Sequence, residues 1–417
     1  MEIFILLNNL NNLNNLNNLN NLNNLNNLNN FNNFNNFNIS TIMLPFSDFQ
    51  NISDAQCAER ISKAKQILGD KIVLLCHHYQ RPDIYVHADL TGDSLKLSKL
   101  AAETKNAKYI IFCGVHFMAE VADIMSNAEQ VAILPDLAAG CSMADMANLA
   151  KVTRCWKELN SVLENDAESQ ITPVTYINSA ANLKAFCGDH GGIVCTSSNA
   201  PTIAKWAFQQ RPKILFFPDQ HLGRWTGYKM GIPLDEMLVW NPDLPNGGLT
   251  PEQIKKAKIL LWAGHCSVHQ MFQKAQIDAF KEKYQHENNG ENLHVIAHPE
   301  SNFEVCSNSD FVGSTELIVK TIKEAKNGTA EMPERWLVGT ELNLVERLAN
   351  EVRPQNKIVQ FMGACVCMCS TMQRIDPQHL LWVLENLVAG NVVNEIKVPE
   401  DVAKSAKLAL DRMLSVS

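Results

Sequence analysis

Three short segments carry side chains suited to acid–base chemistry, and each follows an apolar run. HHYQ (77–80), YIN (176–178) and HPE (298–300) together supply the imidazoles of His77 and His298, the phenols of Tyr79 and Tyr176, the amide of Asn178 and the carboxylate of Glu300. A carboxylate in a partly dry cleft can have its pKa raised toward neutrality, which makes Glu300 the candidate general base. His77 and His298 could donate to a carbonyl or phosphate, and the two tyrosines could donate hydrogen bonds while packing a flat substrate. A lone histidine at a strand end is more often structural. Six such groups at three related places argue for a site.

A second chemistry sits in GACVCMC (363–369), where three of the chain's twelve cysteines fall within five residues. In an extended segment positions 365, 367 and 369 share one face, whereas local zinc chelation uses a two-residue gap, so at most one or two of these sulfurs are ligands. The remaining ligands must come from elsewhere. Cys57, Cys155, Cys187 and Cys306 have no partner at a telling spacing and read as structural.

The elements that must position these residues repeat. Four short β-like runs recur three times in the same order. KIVLLCHHYQ, ITPVTYINS and LHVIAHPE come first. ADLTGDSLKLS, GIVCTSSNA and DFVGSTELI come second, each with a Ser or Thr where a strand hands over to a helix. KYIIFCG, KILFFPDQHLG and RWLVGTE are third; VAILPDLAAGC, KILLWAGHC and KIVQFMGAC with the following VCMC are fourth. Helical patterns such as SLKLSKLAAETK and TIAKWAFQQ lie between them. Continuous apolar strands alternating with helices predict an α/β fold of three similar αβα units with parallel sheets, and a site at the strands' C-terminal ends. Ser94, Ser197, Ser314 and Thr315 then sit where helix N-termini expose backbone amides, a place suited to phosphate or carboxylate. Each alone would read as an N-cap. Each fourth run ends at a cysteine, so units packed around a pseudo-threefold axis would bring Cys141, Cys266 and one of the 365/367/369 group, Cys369 foremost, to a common centre. Three thiolates suit an iron–sulfur cluster with one iron left open as a Lewis acid.

The expected organisation is a low-complexity tail over 1–42 and units over 43–160, 161–280 and 281–417. Residues 8–38 are NNL and then NNF triplets, whose period of three fits neither helix nor strand, and such Asn-rich repeats are disordered. Leu and Phe codons can differ by one base, so the tail reads as translated repeat DNA, with Met43 the expected true start. A chain of 417 residues, 46% hydrophobic and 19% charged, can bury sizeable cores. With a net charge of −8 and no basic run interleaved with aromatics, nucleic acid is an unexpected partner. Cysteine usage far below that of a disulfide-stapled scaffold, and no long apolar run, point to a reducing cytoplasm and no membrane span. Neither GxGxxG nor GxxxxGK[ST] occurs, which argues against a dehydrogenase or kinase.

From about residue 44 to 415 the sequence resembles the quinolinate synthase family of de novo NAD biosynthesis. The matching stretches, in order, include LLCHHYQ, TGDSLKLS, CGVHFMAEVADI, LPDLAAGCSMADM, VTYINSAANLKA, VCTSSNA, FFPDQHLG, HCSVHQMF, IAHPES and VGSTELI. The resemblance implies three similar layers around a [4Fe-4S] cluster held by one cysteine from each, and condensation of iminoaspartate with dihydroxyacetone phosphate to quinolinate, phosphate and two waters. Carried over position by position, it implies Cys141, Cys266 and Cys369 as cluster ligands. His77, Tyr79, Ser94, Tyr176, Asn178, Ser197, His298, Glu300, Ser314 and Thr315 fall on substrate positions, with Glu300, His298, His77 and Tyr79 catalytic. An aspartate-oxidising enzyme is the implied source of iminoaspartate. This chain departs from many relatives after Cys369, where Ser370 stands in place of proline. Other readings of the same residues are an iron–sulfur hydro-lyase without condensation, or a zinc-storing or redox-sensing protein built on GACVCMC.

Overall fold

The computed structural model describes residues 43–164, 166–286, 290–363 and 368–416. The tail over 1–42 and the pair Cys365 and Cys367 lie outside the described residues.

Fourteen strands make three sheets. The first is built from β1 (Ile72–His77), β2 (Leu90–Gly92), β3 (Tyr109–Cys113) and β4 (Val131–Ile133). The second uses β5 (Ile171–Tyr176), β6 (Ile193–Cys195), β7 (Lys213–Phe217), β8 (Met237–Trp240) and β9 (Ile259–Trp262). The third holds β10 (Leu293–Ala297), β11 (Phe311–Val312), β12 (Glu334–Gly339) and β13 (Lys357–Phe361). A last strand, β14 (Glu395–Ile396), returns to the first sheet. Strand order is β14-β4-β3-β1-β2, β6-β5-β7-β9-β8 and β11-β10-β12-β13. In each sheet the unit's first strand lies between its second and third, and the strand carrying the fourth run follows the third. All pairings are parallel except that of β14 with β4. The repeated α/β architecture expected from the sequence is present. The added edge strands β8 and β14 were not foreseen.

Local sequence accounts for these elements. All six residues of β1 and all six of β5 are buried, as strands covered by helices on both faces must be. The helix Ser94–Glu103 starts at Asp93, whose side chain accepts from Lys96 N, and Thr315–Glu324 starts at Ser314, which accepts from Leu317 N. Such caps mark where a strand's polar end becomes a helix. The expectation that each fourth strand ends at its cysteine needs correction. Strand β4 stops at Ile133, β9 at Trp262 and β13 at Phe361, so Cys141, Cys266 and Cys369 stand in the loops beyond. Loops can converge on a point, as straight strand ends cannot.

Later parts of the chain tie the sheets together. Arg60, on the helix Asp54–Leu68, makes a forked pair with Glu385 on the helix Pro377–Val388, at 2.8 and 2.6 Å. The helix Glu400–Val416 packs on the helix Ala181–Asp189, and Arg412 Nη1 donates to the carbonyls of Gly188 and Gly192. No helix among the described residues is long and apolar enough to cross a membrane.

That helix contact is close enough to test. A Cβ on Gly188 would lie 1.9 Å from the Ser405 carbonyl oxygen, a backbone atom that cannot rotate away. Gly188→Ala should therefore destabilise the protein by about 1–3 kcal/mol, the usual cost of overpacking. An unchanged urea midpoint would contradict the packing described.

Candidate functional site

Strand geometry explains how the three first runs build one site. Strands β1, β5 and β10 end at His77, Tyr176 and Ala297, and Tyr79, Asn178, His298 and Glu300 stand in the turns just past those ends, so each strand end delivers its own polar pair. The second runs contribute Ser94, Ser197 and Thr315. All these side chains except the sulfur donors' loops come from strand ends or helix starts, and together with Cys141, Cys266 and Cys369 they line a single cavity. Every site residue expected from the sequence lines it except Ser314, which is buried and caps the helix Thr315–Glu324 instead. Ser314 holds the cap position that Asp93 holds in the first unit, so Thr315, like Ser94, is the first helical residue and lines the cavity.

Glu300 is the electrostatic centre. Tyr176 Oη donates to its Oε1 at 2.6 Å, and His269 Nδ1 lies 2.9 Å from Oε2. His298 Nδ1 is 4.0 Å from Oε1. Burial alone would raise this carboxyl. The neighbouring His298 and His269 and the bonds from His269 and Tyr176 outweigh it and hold the group below its ordinary range. The raised pKa expected for Glu300 is thus overturned, because donors in a dry site favour the charged form. Glu300 is an ionised carboxylate at neutral pH.

The two expected histidines are neutral. Burial lowers His77 and His298 to about 3 each. Backbone N–H groups of Tyr79 and Glu300 donate to their Nδ1 atoms, at 3.1 and 3.4 Å. With Nδ1 an acceptor, the proton resides on Nε2, so each ring offers an N–H donor. A neutral imidazole donor suits a substrate oxygen. The tyrosines stay protonated as well, since burial and Glu300 push both hydroxyls well above their ordinary range. Thr315 Oγ1 donates to Tyr79 Oη at 3.0 Å, and Thr340 Oγ1 bonds it at 2.7 Å and reaches His269 Nε2 at 3.3 Å. Asn178 Oδ1 is buried without a hydrogen-bond partner among the described residues and is free to accept. Asp93 Oδ2 accepts from Ser198 Oγ at 2.6 Å, which fastens the helix start bearing Ser94 to the turn bearing Ser197.

The thiols form a second cluster in the same cavity. Burial raises Cys141 to about 12, with Cys369 and Glu300 adding to the shift. Cys266 is raised well above its usual value by burial, then by Glu300, Cys369 and Cys141. Thiols that oppose one another's ionisation are neighbours, and as free thiolates they would repel. A soft cation would relieve that repulsion, so the donor set fits a sulfur-ligated metal group. The ligand atoms of Cys266, His269 and Glu300 also lie within 4.8 Å of one another and could hold a single ion.

Sequence reasoning missed His269, Thr340, Asp93 and Glu341. Glu341 lines the cavity and is raised to about 7 by burial. The signal for it was its place just past a strand end, since β12 ends at Gly339. His269 stands three residues after Cys266 in HCSVHQMF, where no strand period points to it.

The buried imidazoles imply a pH dependence. In the unfolded chain they take protons below 6.5, whereas His77 and His298 resist until about 3, so stability present above pH 6.5 is lost as pH falls through that window. From pH 7 to 5 the metal-free protein should lose roughly 1–2 kcal/mol per histidine. Urea unfolding at both pH values measures it, and replacing both by Gln should flatten the slope.

A family model described as NadA, Quinolinate synthetase A protein, matches residues 59–415. The chain is similar to the quinolinate synthase of Herpetosiphon aurantiacus, 53% identical over 371 residues, covering 89% of this chain and 95% of the relative. It is 50% identical over 369 residues to that of Corynebacterium glutamicum, covering 88% and 90%. With that of Anoxybacillus flavithermus it shares 45% over 367 residues, covering 88% and 95%. Matches of this extent, over a chain whose three sheets all deliver side chains to one cavity, show that it belongs to the quinolinate synthase family of enzymes.

Proposed function

We propose that the protein condenses iminoaspartate with dihydroxyacetone phosphate, giving quinolinate, phosphate and two waters, in the cytoplasmic de novo route to NAD. The single observation that supports it most is that the thiols of Cys141, Cys266 and Cys369 line the same cavity as the Glu300 network. We read the three sheets as related around a pseudo-threefold axis, with those cysteines holding a [4Fe-4S] cluster. When bound, the cluster supplies Lewis-acid chemistry at the iron no cysteine reaches.

The remaining work belongs to side chains. The Nε2–H of His77 and the hydroxyl of Tyr79 hold the carbonyl and hydroxyl of dihydroxyacetone phosphate. Its phosphate rests on Ser94 and Thr315 and on the amides of the two helix starts, with Ser314 keeping the second start in place. The carboxylates of iminoaspartate lie near Tyr176, Asn178 and Ser197. Glu300, ionised and touching Tyr176, accepts the proton removed in isomerisation and ring closure and passes it on to the departing oxygen, with the neighbouring His298 assisting as a hydrogen-bond donor. Substrates and product are anionic while the chain carries a net −8, so these local dipoles supply the attraction. Juxtaposing two small reactants can lower the barrier by about 7–11 kcal/mol, and a closed site keeps water from the imine. An aspartate-oxidising enzyme would supply that imine.

An anaerobic assay with oxaloacetate, ammonia and dihydroxyacetone phosphate tests the reading: quinolinate should form, and none forming with a fully loaded cluster removes it. The proximity of Cys266, His269 and Glu300 favours one second reading, a single bound ion, for which stoichiometric zinc in a colourless anaerobic preparation would be decisive.

Two sets of substitutions follow. Glu300→Gln should keep the cluster yet slow turnover by about 10²–10⁴-fold, the usual worth of a positioned proton acceptor. Near-normal turnover would strip Glu300 of that role. Replacing Cys141, Cys266 or Cys369 by Ser should cost most of the iron and acid-labile sulfide, while Cys365→Ser and Cys367→Ser should leave both nearly intact. The reverse pattern would move the third ligand.

A further inference from the structure

Glu341 is fully buried and belongs to no role assigned so far. It stands at the N-cap of the helix Leu342–Val352, where Oε2 accepts from Leu344 N at 3.3 Å. Capping alone does not explain it. Short side chains such as Ser, Thr, Asp and Asn make the favoured caps, and a buried carboxyl carries a desolvation cost that a hydroxyl avoids. The extra length has another use: Oε1 accepts from the backbone N–H of Cys369 at 3.3 Å. Asn343 Nδ2 steadies the same oxygen at 2.9 Å and is itself anchored on the Tyr79 carbonyl at 3.3 Å. From the same helix, Arg347 Nη2 donates to the His78 carbonyl at 2.7 Å.

We propose that Glu341 is a positioning residue that fixes the Cys369 loop, through one carboxylate oxygen, to a helix start anchored on the His78–Tyr79 backbone. Its function is to hold the third sulfur in place for the cluster against loss of iron. The inference rests on Cys369 being a cluster ligand. The cysteine stands in the loop after β13, not in the strand, so the sheet does not fix its position. The bond from Cys369 N to Glu341 ties it to an element outside the loop.

The two oxygens permit a test that separates this role from capping. Glu341→Asp keeps a good cap but is one methylene too short to reach Cys369. Glu341→Gln keeps an oxygen that can reach Cys369 N but puts an amide nitrogen, which cannot accept, at the cap. Release of iron to excess EDTA from the anaerobic holoprotein is the readout, with urea unfolding alongside. Iron loss should quicken about tenfold in the Asp variant with its unfolding midpoint unchanged. The Gln variant should release iron within about twofold of the unsubstituted rate while its midpoint falls. Slow release from the Asp variant overturns the proposal, and so does equal leakage from both in step with lost stability. Cys369→Ser, run in parallel, isolates the premise: if that variant keeps its iron, the ligand assignment fails and the proposal with it, whereas if it loses iron while Glu341→Asp does not, only the proposal fails.

Discussion

A desolvated negative charge on Glu300 is the constraint around which the cavity is arranged. An isolated carboxylate in such a place would neutralise itself, and this one does not, because Tyr176 and His269 reach it from the second sheet and its own segment belongs to the third. The chain of contacts continues through Thr340 to Tyr79 on the first sheet. One charge is therefore linked, directly or through these contacts, to all three layers. Removing it would leave the buried Tyr176 hydroxyl without its acceptor, at a cost of about 1–3 kcal/mol.

The thiols pose the opposite problem. Buried sulfur is comfortable as S–H, but thiols that line one cavity gain little from one another. Burial favours neutral His77 and His298 in the same way it favours neutral cysteine. The carboxyl groups of Asp93, Glu300 and Glu341 line the same cavity, so what attraction it offers an anion comes from fixed dipoles such as the helix starts at Ser94 and Thr315. Polarity held in fixed dipoles needs no counter-ion rearrangement when an anionic substrate arrives.

Much of this was legible in the sequence because the strands are written as apolar runs. The pairs 77/79, 176/178 and 298/300 could be read from the apolar runs before them, and the triplication turned single Ser and Thr residues into a pattern. Away from the runs, legibility stops. Cys141, Cys266 and Cys369 were paired with strand ends they do not occupy, since loops past β4, β9 and β13 carry no periodic signal. Ser314 and Thr315 could not be told apart, because the exact helix start decides which caps and which lines the cavity. His269 lies in a short 3₁₀ turn. The sign of the Glu300 shift was beyond sequence altogether, as it depends on donors brought from distant segments.

The return of β14 to the first sheet has a bearing on how the molecule comes into being. Strand β4 pairs with β14 only after residues 395 and 396 have been made, and the helix Glu400–Val416 reaches the second sheet later still. During synthesis from the N-terminus, the two layers translated first wait for their last neighbours until nearly the whole described chain has left the ribosome. Cys369 also emerges late. The cavity is therefore completed only once Cys369 and Met372, late in the described chain, have been made, and any metal group it holds would be loaded after them.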